Sequence, residues 1–104
     1  MYRVTTPTHT FTLPIDTSIC KEILITYKQK GVELNKHYQN GVLPDGMTLD
    51  GKTVVIILTQ EETKAFRNGL VAVQVRALTN ADKAFASQLF NVSNNDVLNE
   101  EILE

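Results

Sequence analysis

The chain has 104 residues, 42 % of them hydrophobic and 21 % charged, with a formal net charge of −2. That length fits one domain with a real but modest core, and the composition excludes pervasive disorder. The scattered Lys and Arg argue against a nucleic-acid surface, which needs grouped cations; no apolar run nears the roughly eighteen residues that span a bilayer; and the single Cys20 excludes an internal disulfide.

Residues 1–8 are polar and Thr-rich with Pro7, and read as a flexible leader or an edge segment, without a secretory apolar segment. Thr10–Leu13 alternates cleanly and predicts a first strand ended by Pro14. Asp16-Thr17-Ser18 is a turn signal in which Asp16 can cap a single helical turn. Lys21–Gln29 predicts a strand with Ile23, Ile25 and Tyr27 on one face and Leu24, Thr26 and Lys28 on the other. Lys30-Gly31 is a hairpin turn, and Val32–Tyr38 returns with Val32, Leu34, Lys36 and Tyr38 on one side, half exposed and near a sheet edge. Asn40-Gly41 and Pro44-Asp45-Gly46 are turn clusters, Met47–Leu49 adds a short strand, and Asp50-Gly51 turns it into the next.

The strongest local signals fall in residues 52–78. Thr53–Leu58 is a β-branched apolar run, which predicts a strand covered on both faces or one whose second face meets a partner chain. Thr59-Gln60-Glu61-Glu62 is a capping box that opens a short helix over Thr59–Asn68, with Gly69 suited to its C-terminal stop. Leu70–Leu78 follows as a strand with Val71, Val73, Val75 and Ala77 on one face; Asn80-Ala81-Asp82 turns the chain; Lys83–Val92 returns as its partner; and Asn94-Asn95-Asp96 breaks it. About seven short strands spaced near ten residues apart, with one helix between the fifth and sixth, predict an all-β fold: an antiparallel immunoglobulin-like β-sandwich. Its domain is expected over residues 9–93, with residues 94–104 as an acidic, partly apolar tail.

Chemistry is sparse. Glu61 and Glu62 are explained by the helix start, where the macrodipole favours negative charge. His9 and His37 lie on different strands without ligand spacing, and each reads as a strand residue rather than a metal ligand. Cys20 reads as a small half-buried apolar residue with no activating environment. Asp45, Asp50, Asp82 and Asp96 sit beside turn residues without the spacing of a calcium loop. No nucleophile setting or phosphate-binding glycine loop is present. The expectation is a protein without catalytic residues, metal or cofactor. Two places remain for contacts. Tyr27 and Tyr38, brought near each other by the hairpin, form either a cross-strand pair or a sugar-binding face. Val97, Leu98, Ile102 and Leu103 in the tail suit either docking on a neighbour or folding back on the domain.

Segments spread over most of the chain from Thr8 onward carry a resemblance: Thr8-His9-Thr10-Phe11-Thr12-Leu13-Pro14, Ile25-Thr26-Tyr27-Lys28-Gln29, Leu58-Thr59-Gln60-Glu61-Glu62-Thr63, Val73 to Asn80 with Ala84-Phe85-Ala86-Ser87, and Asp96 to Leu103. Together they resemble small proteins encoded in phages and prophages of Firmicutes, in or near their structural gene modules. The loop over Lys36–Met47 is longer than the tight connection usual there. The resemblance implies a non-enzymatic structural or assembly module, present in the bacterial cytoplasm or incorporated in a virion. Its partners would be other protein chains, either virion proteins or further copies of itself, and not nucleic acid or membrane. A small binding module for a glycan or other ligand, at the loop ends or on the tyrosine face, is the alternative.

Overall fold

The computed structural model describes residues 1–87 and 90–94 and shows two antiparallel sheets packed face to face. The strands are β1 (Thr8–Thr12), β2 (Cys20–Gln29), β3 (Val32–Gln39), β4 (Met47–Asp50), β5 (Thr53–Ile57), β6 (Gly69–Thr79), β7 (Ala84–Ala86) and β8 (Phe90–Asn94). One sheet has the order β1-β5-β4; the other runs β3-β2-β6, with β7 and β8 both on the outer side of β6. The short helix α1 (Gln60–Ala65) carries the chain from the centre of the first sheet to the centre of the second. The all-β sandwich expected from the sequence is therefore the fold. No helix among the described residues is long and apolar enough to cross a membrane.

Two tight hairpins set the register. Gln29 pairs with Val32 across Lys30-Gly31, and Asp50 pairs with Thr53 across Gly51-Lys52. Period-two alternation then decides which side chains are buried. Ile23, Ile25 and Tyr27 of β2 and Val71, Val73, Val75 and Ala77 of β6 face Val54, Ile56 and Leu58 from the other sheet, and all ten are at most 6 % exposed. The apolar run of β5 thus has one core face. Its other face is uneven, with Val55 half-buried and Ile57 48 % exposed.

The capping box forms as expected: the Glu62 N–H donates to the Thr59 hydroxyl at 3.1 Å, and the Thr59 N–H donates to the Glu62 carboxylate at 2.9 Å. The helix is shorter than the sequence suggests and ends at Ala65. Phe66 turns to extended backbone so that its ring is fully buried, and core packing outweighs one more helical turn. Gly69 accordingly starts β6 rather than stopping the helix. The expected Lys83–Val92 strand is divided. The two parts do not share one register on β6: Arg76 pairs with Ala86 in β7, and Val73 pairs with Phe90 in β8, one residue out of step. Ser87 bridges the break, accepting from the Val75 N–H through its hydroxyl and donating its own N–H to the Val75 carbonyl.

Residues 1–7 are not a loose leader. Val4 is 9 % exposed, the Thr5 N–H donates to the Thr63 hydroxyl, that hydroxyl donates to the Thr5 carbonyl, and the Arg3 guanidinium donates to the Lys64 carbonyl. The N-terminal ammonium reaches the Ser93 carbonyl. At the far end, Asn94 is the last residue of β8 rather than a breaker. It is fully buried, with its side-chain amide donating to the Phe66 and Arg67 carbonyls at 3.1 and 3.0 Å. A sequence that reads as a turn here is recruited to close the backbone left open after the helix.

The connection from β3 to β4 is longer than a hairpin because it must change sheets. Gly46 makes this possible: it has φ +81°, and a Cβ there would lie 2.3 Å from the Ile57 carbonyl oxygen. No L side chain fits that approach. Beside it, Lys36 is drawn inward from β3 and pairs with Glu62 of α1 at 2.6 Å, also donating to the Asp45 carbonyl. This contact ties the edge strand β3, the long loop and the crossover helix together.

Candidate functional site

The tyrosine face does not form. The two-residue turn sets Tyr27 opposite Leu34 and Tyr38 opposite Ile23, so the rings share a face but stand four residues apart along it. Tyr27 is fully buried, with its hydroxyl 2.7 Å from the His9 Nδ1, and burial pushes its phenol well above the ordinary range. Tyr38 is half-buried against the core. Tyr27 is closed to a ligand, and the two rings make no common surface. The tail residues Val97, Leu98, Ile102 and Leu103 lie outside the described residues.

The histidines are placed apart. His9 sits on β1 with its ring turned into the sandwich, where burial, aided by the N-terminal charge, holds its pKa below 6.5. His37 lies on β3 beside Glu22 at 3.1 Å. Among the described residues, no three His, Cys, Asp or Glu side chains gather as metal ligands. Cys20 is buried, and burial, reinforced by nearby Asp16, pushes its thiol up, which disfavours the thiolate.

A different feature emerges where the sheets part along the β1 side. An apolar groove of about 380 Å³ lies between β1 and the β6–β7–β8 edge, lined chiefly by Phe11, Leu13, Ile15, Val75, Phe85 and Phe90. Phe90 is 46 % exposed, an unusual position for a phenyl ring. Rings connect the groove to the core. Phe11 lies 6.2 Å from Phe90 and 6.4 Å from His9; His9 lies 5.6 Å from Tyr27; Tyr27 lies 6.5 Å from Phe66 behind the helix.

The groove borders an open strand edge. The Leu13 N–H donates to the Lys52 carbonyl and the Leu58 N–H to the Pro7 carbonyl. In an antiparallel ladder such groups alternate sides, so Pro7, His9, Phe11 and Leu13 address β5, while the backbone groups of Thr8, Thr10 and Thr12 point away from it. Those groups have no partner among the described residues. The other edges are blunted in the ways natural sheets use. β3 carries Glu33, Lys36 and His37, β4 has four residues and ends in Asp50, and the β7–β8 edge is divided into two short strands out of register with each other. β1 reads Thr-His-Thr-Phe-Thr, with no Asp, Glu, Lys or Arg and no irregularity. Sequence reasoning missed this site. The alternation of Thr8–Thr12 was legible, but nothing local says that one of its sides is left unpaired.

No protein-family model, curated protein or solved structure matches this chain.

Proposed function

We infer that the protein is a non-enzymatic structural or assembly module whose work is protein–protein contact through β1. The observation that carries this reading is the uncharged β1 edge, unpaired among the described residues, running beside the apolar groove. An extended segment added to β1 would satisfy the outward backbone groups of Thr8, Thr10 and Thr12 while every second side chain entered the groove. The resemblance to phage and prophage proteins of Firmicutes supports placing such a module in particle assembly, in the bacterial cytoplasm or in a virion. The connectivity is also consistent with an immunoglobulin-like sandwich, a scaffold whose strand edges and loops commonly serve as contact surfaces. The alternative is a ligand-binding module. It is less well supported for a glycan than for an apolar molecule, because aromatic and aliphatic side chains dominate the groove.

The test is selection of extended peptides from a displayed library against the purified chain, with binding mapped by amide chemical shifts. The expected binders have alternating apolar residues, perturb Thr8, Thr10 and Thr12, and are lost in Thr10→Lys. A selection that yields no binder, or binders indifferent to Thr10→Lys, would remove the reading. So would an apolar small molecule that fills the groove without touching the β1 amides.

A further inference from the structure

The nature of the β1 edge also indicates its occupant, an inference that rests on the contact reading above. An edge strand that receives a foreign strand needs a complement, and β1 is its own complement. We propose that β1 pairs antiparallel with β1 of a second copy about a two-fold axis through Thr10, joining the two three-stranded sheets into one continuous sheet and closing each groove against the other copy.

Register, charge and apolar surface support this arrangement. With the axis at Thr10, Thr8 of one copy faces Thr12 of the other and Thr10 faces its own equivalent. These are the positions whose backbone groups have no partner among the described residues, so the ladder they form is complete. The axis maps Pro14 onto Thr6, and proline has no N–H to donate, so the ladder stops at the same place on both ends and spans the whole of Thr8–Thr12. Shifting the axis to His9 or Phe11 would leave part of this window unpaired. On the outer face, threonines meet threonines, a favourable cross-strand combination.

On the inner face, the same register sets His9 of each copy directly opposite Phe11 of the other, in the closer, non-hydrogen-bonded type of pair. Each Phe11 ring, already in edge contact with its own His9, gains an aromatic neighbour across the axis. The strand has no Asp, Glu, Lys or Arg, and the half-buried position of His9 favours its neutral form, so at neutral pH self-pairing brings no like charges together. The apolar surface left open beside β1, in which Phe90 is the most exposed ring, is what a second copy would cover. An isologous contact of this kind closes on itself as a dimer instead of extending into a fibre.

The experiment is light scattering on the full chain over a wide concentration range, together with two substitutions at the solvent-facing Thr10. The unmodified chain is expected to pass from 11.6 kDa toward twice that mass as concentration rises. Thr10→Lys sets two ammonium groups together at the axis and is expected to remain monomeric with an unchanged circular dichroism spectrum. Thr10→Cys is expected to form a disulfide-linked dimer under mild oxidation, because a hydrogen-bonded antiparallel pair places its Cα atoms about 5.5 Å apart, within disulfide reach. Thr48→Cys, on the edge strand of the same sheet, is expected not to cross-link. A chain that stays monomeric at every concentration, or a Thr10→Lys variant that dimerises as readily as the parent, overturns the proposal. A monomer whose β1 amides still take up selected peptides overturns the self-pairing alone and leaves the contact reading standing. A monomer that takes up no peptide removes both.

Discussion

Asn94 shows how much one polar side chain can hold. Its amide closes two carbonyls left after α1, and its own carbonyl oxygen is buried with no partner among the described residues. Asn94→Ala would remove the side-chain donor of the Phe66 carbonyl, while the Arg67 carbonyl keeps the Gln29 amide at 2.8 Å, and is expected to destabilise the fold by about 1–2 kcal/mol. A urea titration would show this as a lower midpoint with an unchanged slope, and an unshifted midpoint would mean that water replaces the amide at no cost. His9 illustrates the opposite lesson, because its value lies in remaining uncharged. Its folded pKa lies below the unfolded 6.5, so the unfolded chain binds more protons on acidification. The corresponding stability is fully present above pH 6.5 and is lost as pH falls through the folded value.

Among the elements, α1 is the one whose sequence logic and tertiary role most nearly coincide. The capping box is local, but Glu62 has a second, non-local duty with Lys36. Burial pushes the Glu62 carboxyl up, yet the hydrogen bond and charge of Lys36 and the N–H and hydroxyl of Thr59 outweigh it and hold the pKa below 4.5. The stability this contributes is therefore present above about pH 4.5 and lost as pH falls through the lowered folded value. Glu62→Gln would leave the Lys36 ammonium, with 9 % of its side chain exposed, without its counter-charge. The expected cost at neutral pH is about 2 kcal/mol, below the value for a fully buried pair because Glu62 keeps some contact with water. Denaturation midpoints of the variant should also fall less steeply between pH 5 and pH 3 than those of the parent. A variant with an equally steep acid limb would show that other carboxylates govern it.

For the molecule as a whole, stability is concentrated in the pair β2–β6. These are the longest strands, they lie at the centre of the larger sheet, and each supplies fully buried side chains to the core. Hydrogen exchange is expected to be slowest at Ile23, Ile25, Val73 and Val75. At the monomer concentration it should be fast at Thr8, Thr10 and Thr12, since those amides face water rather than a strand. Protection of the three threonine amides that grows with protein concentration would come from pairing at β1. Slow exchange there at every concentration would mean that the edge is covered within a single chain.

Taken alone, the sequence determined most of what depends on neighbours along the chain. The alternation in β2, β3 and β6, the Lys30-Gly31 turn, the single turn capped by Asp16 and the capping box at Thr59 all follow from backbone preferences and period-two burial, which act within a few residues. From these signals the two-layer all-β arrangement is legible. What only the tertiary structure decided depends on residues far apart. Phe66 leaves the helix because the core has room for its ring, Asn94 is buried because the helix end needs a donor, and the first residues are held because Thr63 binds Thr5. The candidate site belongs to this second group. Thr8–Thr12 would show the same alternation in the middle of a sheet, and it becomes an open edge because the crossover through α1 takes the chain to the other sheet, leaving one side of β1 without a strand among the described residues.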